Sequence, residues 1–242
     1  KLEFGGTFQL QPEKILAAAS PQTKLLFLCS PNNPTGNLLD PAAVEFLLQN
    51  FPGIVVVDEA YLDFSGTNSW SQRLPEFPNL VVLQTFSKAW ALAGLRLGMA
   101  FANPEIVHYI NKVKYPYNLN QLTQQTALRL LEEDLASGKV SRAIADLILE
   151  RQRLADFLER LSNVVKVYPS DANFLLVKFQ EAAPVFDFLK KHGIIVRDRS
   201  GEPLCENCLR ITVGTAAENE IFRIRMSGMF KDIKDWDARP NP

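Results

Sequence analysis

The chain has 242 residues, 47% of them apolar and 22% charged, with 12 Gly and 15 Pro. That is a globular composition with room for one large domain or two unequal ones, and it argues against collagen, coiled coil and disorder. The 26 Lys and Arg against 27 Asp and Glu leave a net charge of -1, with no positive excess to hold a nucleic-acid backbone. Apolar runs such as Ile54–Val57 and Leu80–Leu83 stop far short of the roughly 18 residues a membrane span needs. No membrane partner is expected. Three Cys are too few for a disulfide framework and point to a reducing, cytoplasmic setting. The opening KLEFGG has neither an initiator Met nor the apolar core of a signal peptide, so the chain reads as one begun midway.

In chain order, Lys24–Cys29 (KLLFLC) is a nearly continuous apolar run ending in the Pro/Asn/Gly cluster Ser30–Gly36, a buried strand feeding a loop. Asp40-Pro41 opens a helix to about Asn50, with Asp40 as cap and Pro41 at the first position, where a missing N–H costs nothing. Ile54–Val57 and Leu80–Leu83 are wholly apolar, as central strands of a parallel sheet covered on both faces are, and Gly98–Ala102 is a further candidate. Asn103-Pro104-Glu105 repeats the capped start, for a helix to about Lys112.

Asn120–Asp134 and Arg142–Leu161 read as helices, the second with an apolar stripe of Ile144, Leu147, Ile148, Leu154, Leu158 and Leu161. Strand candidates follow at Val164–Tyr168, Phe174–Phe179, Ile194–Arg197 and Leu209–Val213, with one helix at about Ala182–His192. The pattern divides into a large α/β domain over residues 1–140 and a bridging helix with a small α+β domain over residues 141–242. Phe222–Pro242 lacks the apolar periodicity of a closing helix.

Four polar features stand out, three of them on loops after strands, where open α/β sheets place their ligands. In Ser30–Gly36 two prolines stiffen a loop that presents Asn33, although a plain turn explains it as well. Asp58-Glu59-Ala60-Tyr61 puts acids at the end of an apolar strand, which costs energy unless something pairs with them; a helix cap is the plainer reading. Lys88, among apolar and small residues past a strand, is either a desolvated amine with a lowered pKa or a surface lysine whose stem lies on apolar neighbours. Arg210 is the only charged side chain in LRITV, and a guanidinium on a strand suits a two-point grip on a carboxylate or phosphate. Cys205 and Cys208 form a lone CxxC. A zinc site wants four ligands, and the chain's two His, His108 and His192, are remote in sequence, so neither metal nor redox use is expected of it.

The strings CSPNNPTG, VVVDEAY, TFSKAWALAGLRLG and CLRITVGT, in this order and spacing, resemble the fold type I pyridoxal-phosphate aminotransferases, and among these the histidinol-phosphate branch. The likeness runs from about Phe8 to Glu220. It implies an α/β fold, a three-layer sandwich of a mostly parallel sheet with helices on both faces, plus a smaller C-terminal α+β domain. It also implies pyridoxal 5'-phosphate as cofactor, held as a Schiff base on Lys88, which then carries the catalytic proton. Asp58 matches the partner of the pyridine nitrogen, and Asn33 and Tyr61 match the donors to the 3' oxygen. Ser87 and Arg96 match contacts to the cofactor phosphate, with a loop and helix start between Lys88 and Arg96 to wrap it.

For the substrate, Arg210 matches the carboxylate-binding arginine. Arg197, in IIVRDRS, matches an arginine that helps hold the distal phosphate, though a surface arginine at a strand end accounts for it too. The implied activity is transamination of histidinol phosphate with 2-oxoglutarate in histidine biosynthesis, through pyridoxamine phosphate, by a homodimer acting on small amino and keto substrates. An aromatic aminotransferase, a threonine-phosphate decarboxylase and a truncated, non-catalytic remnant stay open. The family's preceding segment, with a phosphate-binding loop, a ring that stacks on the pyridine and a tyrosine reaching into the partner subunit, has no counterpart in this sequence.

Overall fold

The computed structural model describes residues 8–230. It divides into two compact units, one made of the residues up to Asn33 and Asn37–Ala145, the other of Pro34–Gly36 and the residues from Asp146 on.

The first unit opens with a short helix, α1 (Pro12–Ala18), that the sequence pattern had not suggested. Then come β1 (Leu25–Cys29), α2 (Pro41–Asn50), β2 (Ile54–Asp58), β3 (Leu80–Thr85) and β4 (Gly98–Ala102), which form one sheet in the order β1-β2-β3-β4. Asp40 caps α2 by accepting from the Ala42 amide at 2.9 Å, as its place before Pro41 predicts. The strands β1, β2 and β3 are parallel, with Cys29 opposite Asp58 and Asp58 opposite Leu83. The fourth strand runs antiparallel, with Thr85 opposite Gly98, so Gly98–Ala102 is not one of the parallel strands.

One face of this sheet is closed by α1 and α2. Leu28, Val55, Val57, Leu80 and Val82 pack there with Ile15, Val44, Leu47 and Phe51. Each such fully buried aliphatic side chain contributes about 1.5–3 kcal/mol. The other face carries Leu25, Phe27, Val56, Val81 and, at its edge, Cys29 and Asp58. Val56 and Val81 are buried there, while Leu25 and Phe27 are more than half exposed. The helices α3 (Pro104–Val113) and α4 (Gln121–Ser137) follow. Gly138, at φ +60, ends α4 and starts α5 (Lys139–Leu158), which enters the second unit at Asp146.

The second unit is an antiparallel sheet in the order β5-β6-β8-β7, from β5 (Val164–Val167), β6 (Phe174–Phe179), β7 (Arg197–Asp198) and β8 (Cys208–Thr212). Its core joins Leu175, Val177, Leu209 and Ile211 to Leu154 and Phe157 of α5, Val185 and Leu189 of α6 (Ala182–Lys191), and Phe222 and Met226 of α7 (Ala216–Met229).

Two expectations are corrected here. Ile194–Arg197 is not a strand, because the Ile194 amide turns back to the Leu189 carbonyl at 2.9 Å to finish α6; pairing starts only at Arg197. The segment from Phe222 is helical as far as Met229, and residues 231–242 lie outside the described residues. The helix starts at a capping box in which Thr215 accepts from the Glu218 amide and Glu218 accepts from the Thr215 amide. Read from Phe222, the pattern begins after the signal that starts the helix.

Replacing Thr215 by Ala removes one half of that box and is expected to lower stability by about 1 kcal/mol. Urea unfolding followed by circular dichroism reads this as a lower midpoint at unchanged slope, and an unmoved midpoint would mean that the box does not hold α7.

Candidate functional site

The polar residues of the first unit gather where β1, β2 and β3 end. The Ser30 amide donates to the Asp58 carbonyl at 2.9 Å, and the Glu59 amide to the Leu83 carbonyl at 2.8 Å, so the ladder runs one residue past each strand. Asp58 is half-buried, and its Oδ1 accepts from the Ala60 amide at 3.0 Å, which turns the chain and sends Tyr61 inward. Tyr61 is 7% exposed. The Lys88 Nζ lies 5.2 Å from the centroid of its ring, within cation–π range. Lys88 itself is exposed, on the loop that follows β3.

Glu59 accounts for the second acid of the motif. It is 2% exposed and accepts from Ser69 Oγ at 2.6 Å, the Trp70 amide at 2.7 Å and Gln84 Nε2 at 2.8 Å. Three hydrogen bonds offset the cost of burying the carboxylate. They also tie the end of β2 to Gln84 of β3, four residues before Lys88. Sequence reasoning assigned Glu59 no task, although a lone Gln inside the apolar run Leu80–Thr85 is the signal for a buried polar partner.

Cys29 was overlooked as well. Its thiol is pushed up to about 11, by burial first and then by the Asp58 charge, against a lowering hydrogen bond from the Asn33 backbone. Asn33 is exposed at the tip of its loop, with its backbone next to Cys29 and, in register, Asp58.

Past β3, Ser87 Oγ accepts from Thr85 Oγ1 at 2.9 Å, and the Phe86 amide donates to the Leu97 carbonyl at 3.2 Å, closing a loop from Ser87 to Arg96. No α-helix starts in this loop, contrary to expectation. It holds only a 3-10 turn at Ala93–Leu95, and Arg96, at φ +53, bonds the Ala93 carbonyl through Nη1. The structure therefore places Lys88 over the Tyr61 ring, three residues on from Asp58 at the end of β2, and leaves Arg96 exposed on its own turn.

In the second unit Arg197 and Arg210 are directly opposite each other on β7 and β8. Arg210 also lies 4.9 Å from the Phe174 ring centroid. Among the described residues no cluster of three or more His, Cys, Asp or Glu could hold a metal, and no helix is long and apolar enough to cross a membrane.

The fold and this strand edge define a class. The family description "Aminotransferase class I and II" matches residues 3–225, and the chain belongs to that family. Within it, the chain is 49% identical over 229 residues to the histidinol-phosphate aminotransferase of Parabacteroides distasonis, covering 95% of this chain and 66% of that protein. The crystal structure of histidinol-phosphate aminotransferase from Clostridium acetobutylicum superposes with a TM-score of 0.84 at 21% identity, over 94% of this chain and 70% of that one. That from Sinorhizobium meliloti, solved in complex with pyridoxal-5'-phosphate, gives 0.79 at 24% identity, over 92% and 62%. The chain thus spans slightly under two thirds of the length of the curated relative.

Two outcomes test the geometry. Removing the charge in Asp58→Asn takes away one cause that raises the Cys29 pKa, so alkylation of Cys29 at mildly alkaline pH should quicken; peptide mapping against time reads it, and an unchanged rate would separate the two groups. Glu59→Ala leaves Ser69, the Trp70 amide and Gln84 without their acceptor and is expected to cost about 3 kcal/mol in urea unfolding. A loss within about 0.5 kcal/mol, the range of surface substitutions, would deny the clamp.

Proposed function

We propose that the chain carries the cofactor- and substrate-binding residues of a pyridoxal-phosphate aminotransferase that converts histidinol phosphate and 2-oxoglutarate into imidazole-acetol phosphate and glutamate. The observation that carries this reading is the Lys88 amine, exposed over the Tyr61 ring at the strand edge that ends in Asp58. The donor set fits the cofactor. A half-buried carboxylate suits a protonated pyridine nitrogen, and a reachable primary amine suits an aldehyde.

When bound, pyridoxal phosphate supplies an electron sink for a carbanion at the substrate α-carbon. Lys88 supplies the amine that anchors it and, once displaced by the substrate, holds and returns the proton at that carbon. Asp58 keeps the ring nitrogen protonated. Asn33 and Tyr61 would donate to the 3' oxygen, while Ser87 would donate a hydrogen bond to the phosphate and Arg96 would offset its charge. Arg210 would grip the carboxylate of glutamate or 2-oxoglutarate, and Arg197 would help hold the distal phosphate of histidinol phosphate. In support, like charges directly opposite on neighbouring strands repel, and an anionic substrate relieves that repulsion for Arg197 and Arg210.

A homodimer belongs to the same proposal. Tyr109, Val113, Tyr115, Tyr117 and Leu122, on and between α3 and α4, are all more than half exposed and supply apolar surface for a second copy. Three free cysteines suit a cytoplasmic setting.

Titrating the chain with pyridoxal phosphate is expected to give a saturable visible absorbance, fixed on Lys88 by borohydride and lost in Lys88→Ala. Histidinol phosphate, but not phenylalanine, should then discharge that absorbance. Fixation elsewhere, or no response to histidinol phosphate, would refute the assignment of Lys88 or of the substrate in turn.

A further inference from the structure

We propose that Cys205 and Cys208 are a reversible dithiol–disulfide site, oxidised by hydroperoxides, on the strand that bears Arg210. Cys208 opens β8, and its amide donates to the Cys205 carbonyl at 2.9 Å. That bond closes a β-turn, whose end Cα atoms lie within about 7 Å, and a disulfide spans about 4.4–6.8 Å between Cα atoms. The two thiols are already hydrogen-bonded to each other. Both are buried, Cys205 at 1% and Cys208 at 0%, yet Glu202, Pro203, Leu204, Glu206 and Asn207 around them are exposed. The exposed turn lies over them on one side, while Tyr168, Lys178 and Arg199 lie near the pair from neighbouring segments. Leu204 and Asn207 hold φ of +64 and +57, so the backbone here is strained, sharply so for the bulky Leu204.

The pair is asymmetric. The contact between the two thiols pushes the Cys205 thiol down and the Cys208 thiol up, and Cys208 Sγ donates to the Glu206 carbonyl at 3.7 Å. Cys205 is therefore the attacking sulfur and Cys208 the resolving one. The Cys205 thiolate attacks the peroxide O–O bond and takes one oxygen to become a sulfenic acid, and the other oxygen leaves after protonation, as water from hydrogen peroxide or as the alcohol from an organic hydroperoxide. The Cys208 sulfur then attacks the sulfenic sulfur, the S–O bond breaks, a second water leaves, and the S–S bond forms. The sulfur pair has lost the electrons that the peroxide gained.

The location gives the site a purpose. Cys208 and Arg210 alternate onto the same face of β8, with Cys208 opposite Lys178 and Arg210 opposite Leu176. A disulfide stores oxidation in a form that thiols can undo, whereas sulfinic acid would fix a charge beside Arg210. The inference does not rest on the aminotransferase reading, and its test reads sulfur chemistry alone.

The reduced full chain is treated with hydrogen peroxide, unfolded, alkylated and mapped by peptide mass. Two of the three thiols should vanish into a Cys205–Cys208 bond within one chain, restored by dithiothreitol, while Cys29 stays free. In Cys208→Ser, which removes the resolving sulfur, Cys205 should run on to sulfinic acid that dithiothreitol does not reverse. In Cys205→Ser, Cys208 should stay reduced at the same dose. Retention of all three thiols, a bond that includes Cys29, or oxidation of Cys208 in Cys205→Ser would overturn the proposal. Circular dichroism checks each variant, and the parent chain with Cys205→Ser decides if Cys208→Ser does not fold.

Discussion

Parallel strands cannot be joined by a hairpin, so each connection crosses over and every carboxyl end arrives at one edge of the sheet. In the first unit the ladder continues past the strands, through the Ser30 and Glu59 amides, so the three loops leave from one aligned row. Everything chemical in that unit depends on this row. Asp58 takes its place there from the register with Cys29 and Leu83, and Tyr61 is set by the turn that Asp58 itself caps. Lys88 belongs to the row because β3 delivers it, and Glu59 fixes β3 to β2 through Gln84. A carboxylate with three donors is a strong tie in a low-dielectric surrounding, and a costly one to break, since every donor would then be left unpaired.

What could be read in the sequence follows the range of the forces involved. Helix starts at Asp40-Pro41 and Asn103-Pro104 were legible, because a cap is a contact within three residues. The buried strands were legible because unbroken apolar runs fit few other places. Strand direction was not, since Gly98–Ala102 is apolar whichever way it runs, and only its short return from β3 makes it antiparallel. At Ile194–Arg197 the apolar alternation is real, as Val196 is buried and Ile195 is 70% exposed, but pairing is a property of the neighbouring strand. In the site, the motif residues stood out as polar side chains in apolar company. Glu59 and Cys29 did not, because their tasks depend on partners 25 and 29 residues away, Gln84 and Asp58.

The two units divide the proposed labour by chemistry. The first offers an amine, a carboxylate and an aromatic ring, which suit a heteroaromatic aldehyde. The second offers two arginines across one strand pair, which suit anions. Guanidinium groups stay charged at any working pH, so their mutual repulsion cannot be relieved by losing a proton. It is relieved by a bound anion or by contact with a ring such as Phe174. This is why a strand with one charge among apolar residues carries more information than an arginine on a polar surface.

The three cysteines show how little burial alone decides. Cys29 and Cys208 are both shielded and both pushed up, yet for different reasons: at Cys29 burial and the Asp58 charge act, while at Cys208 the contact with the Cys205 thiol comes first and burial second. Cys205 is as buried as Cys208 and is pushed the other way, by its contact with the Cys208 thiol. Contact between two like residues thus sets their thiols apart in acidity. The Cys208 amide closes the turn on the Cys205 carbonyl where β8 begins, two residues before Arg210 stands opposite Arg197.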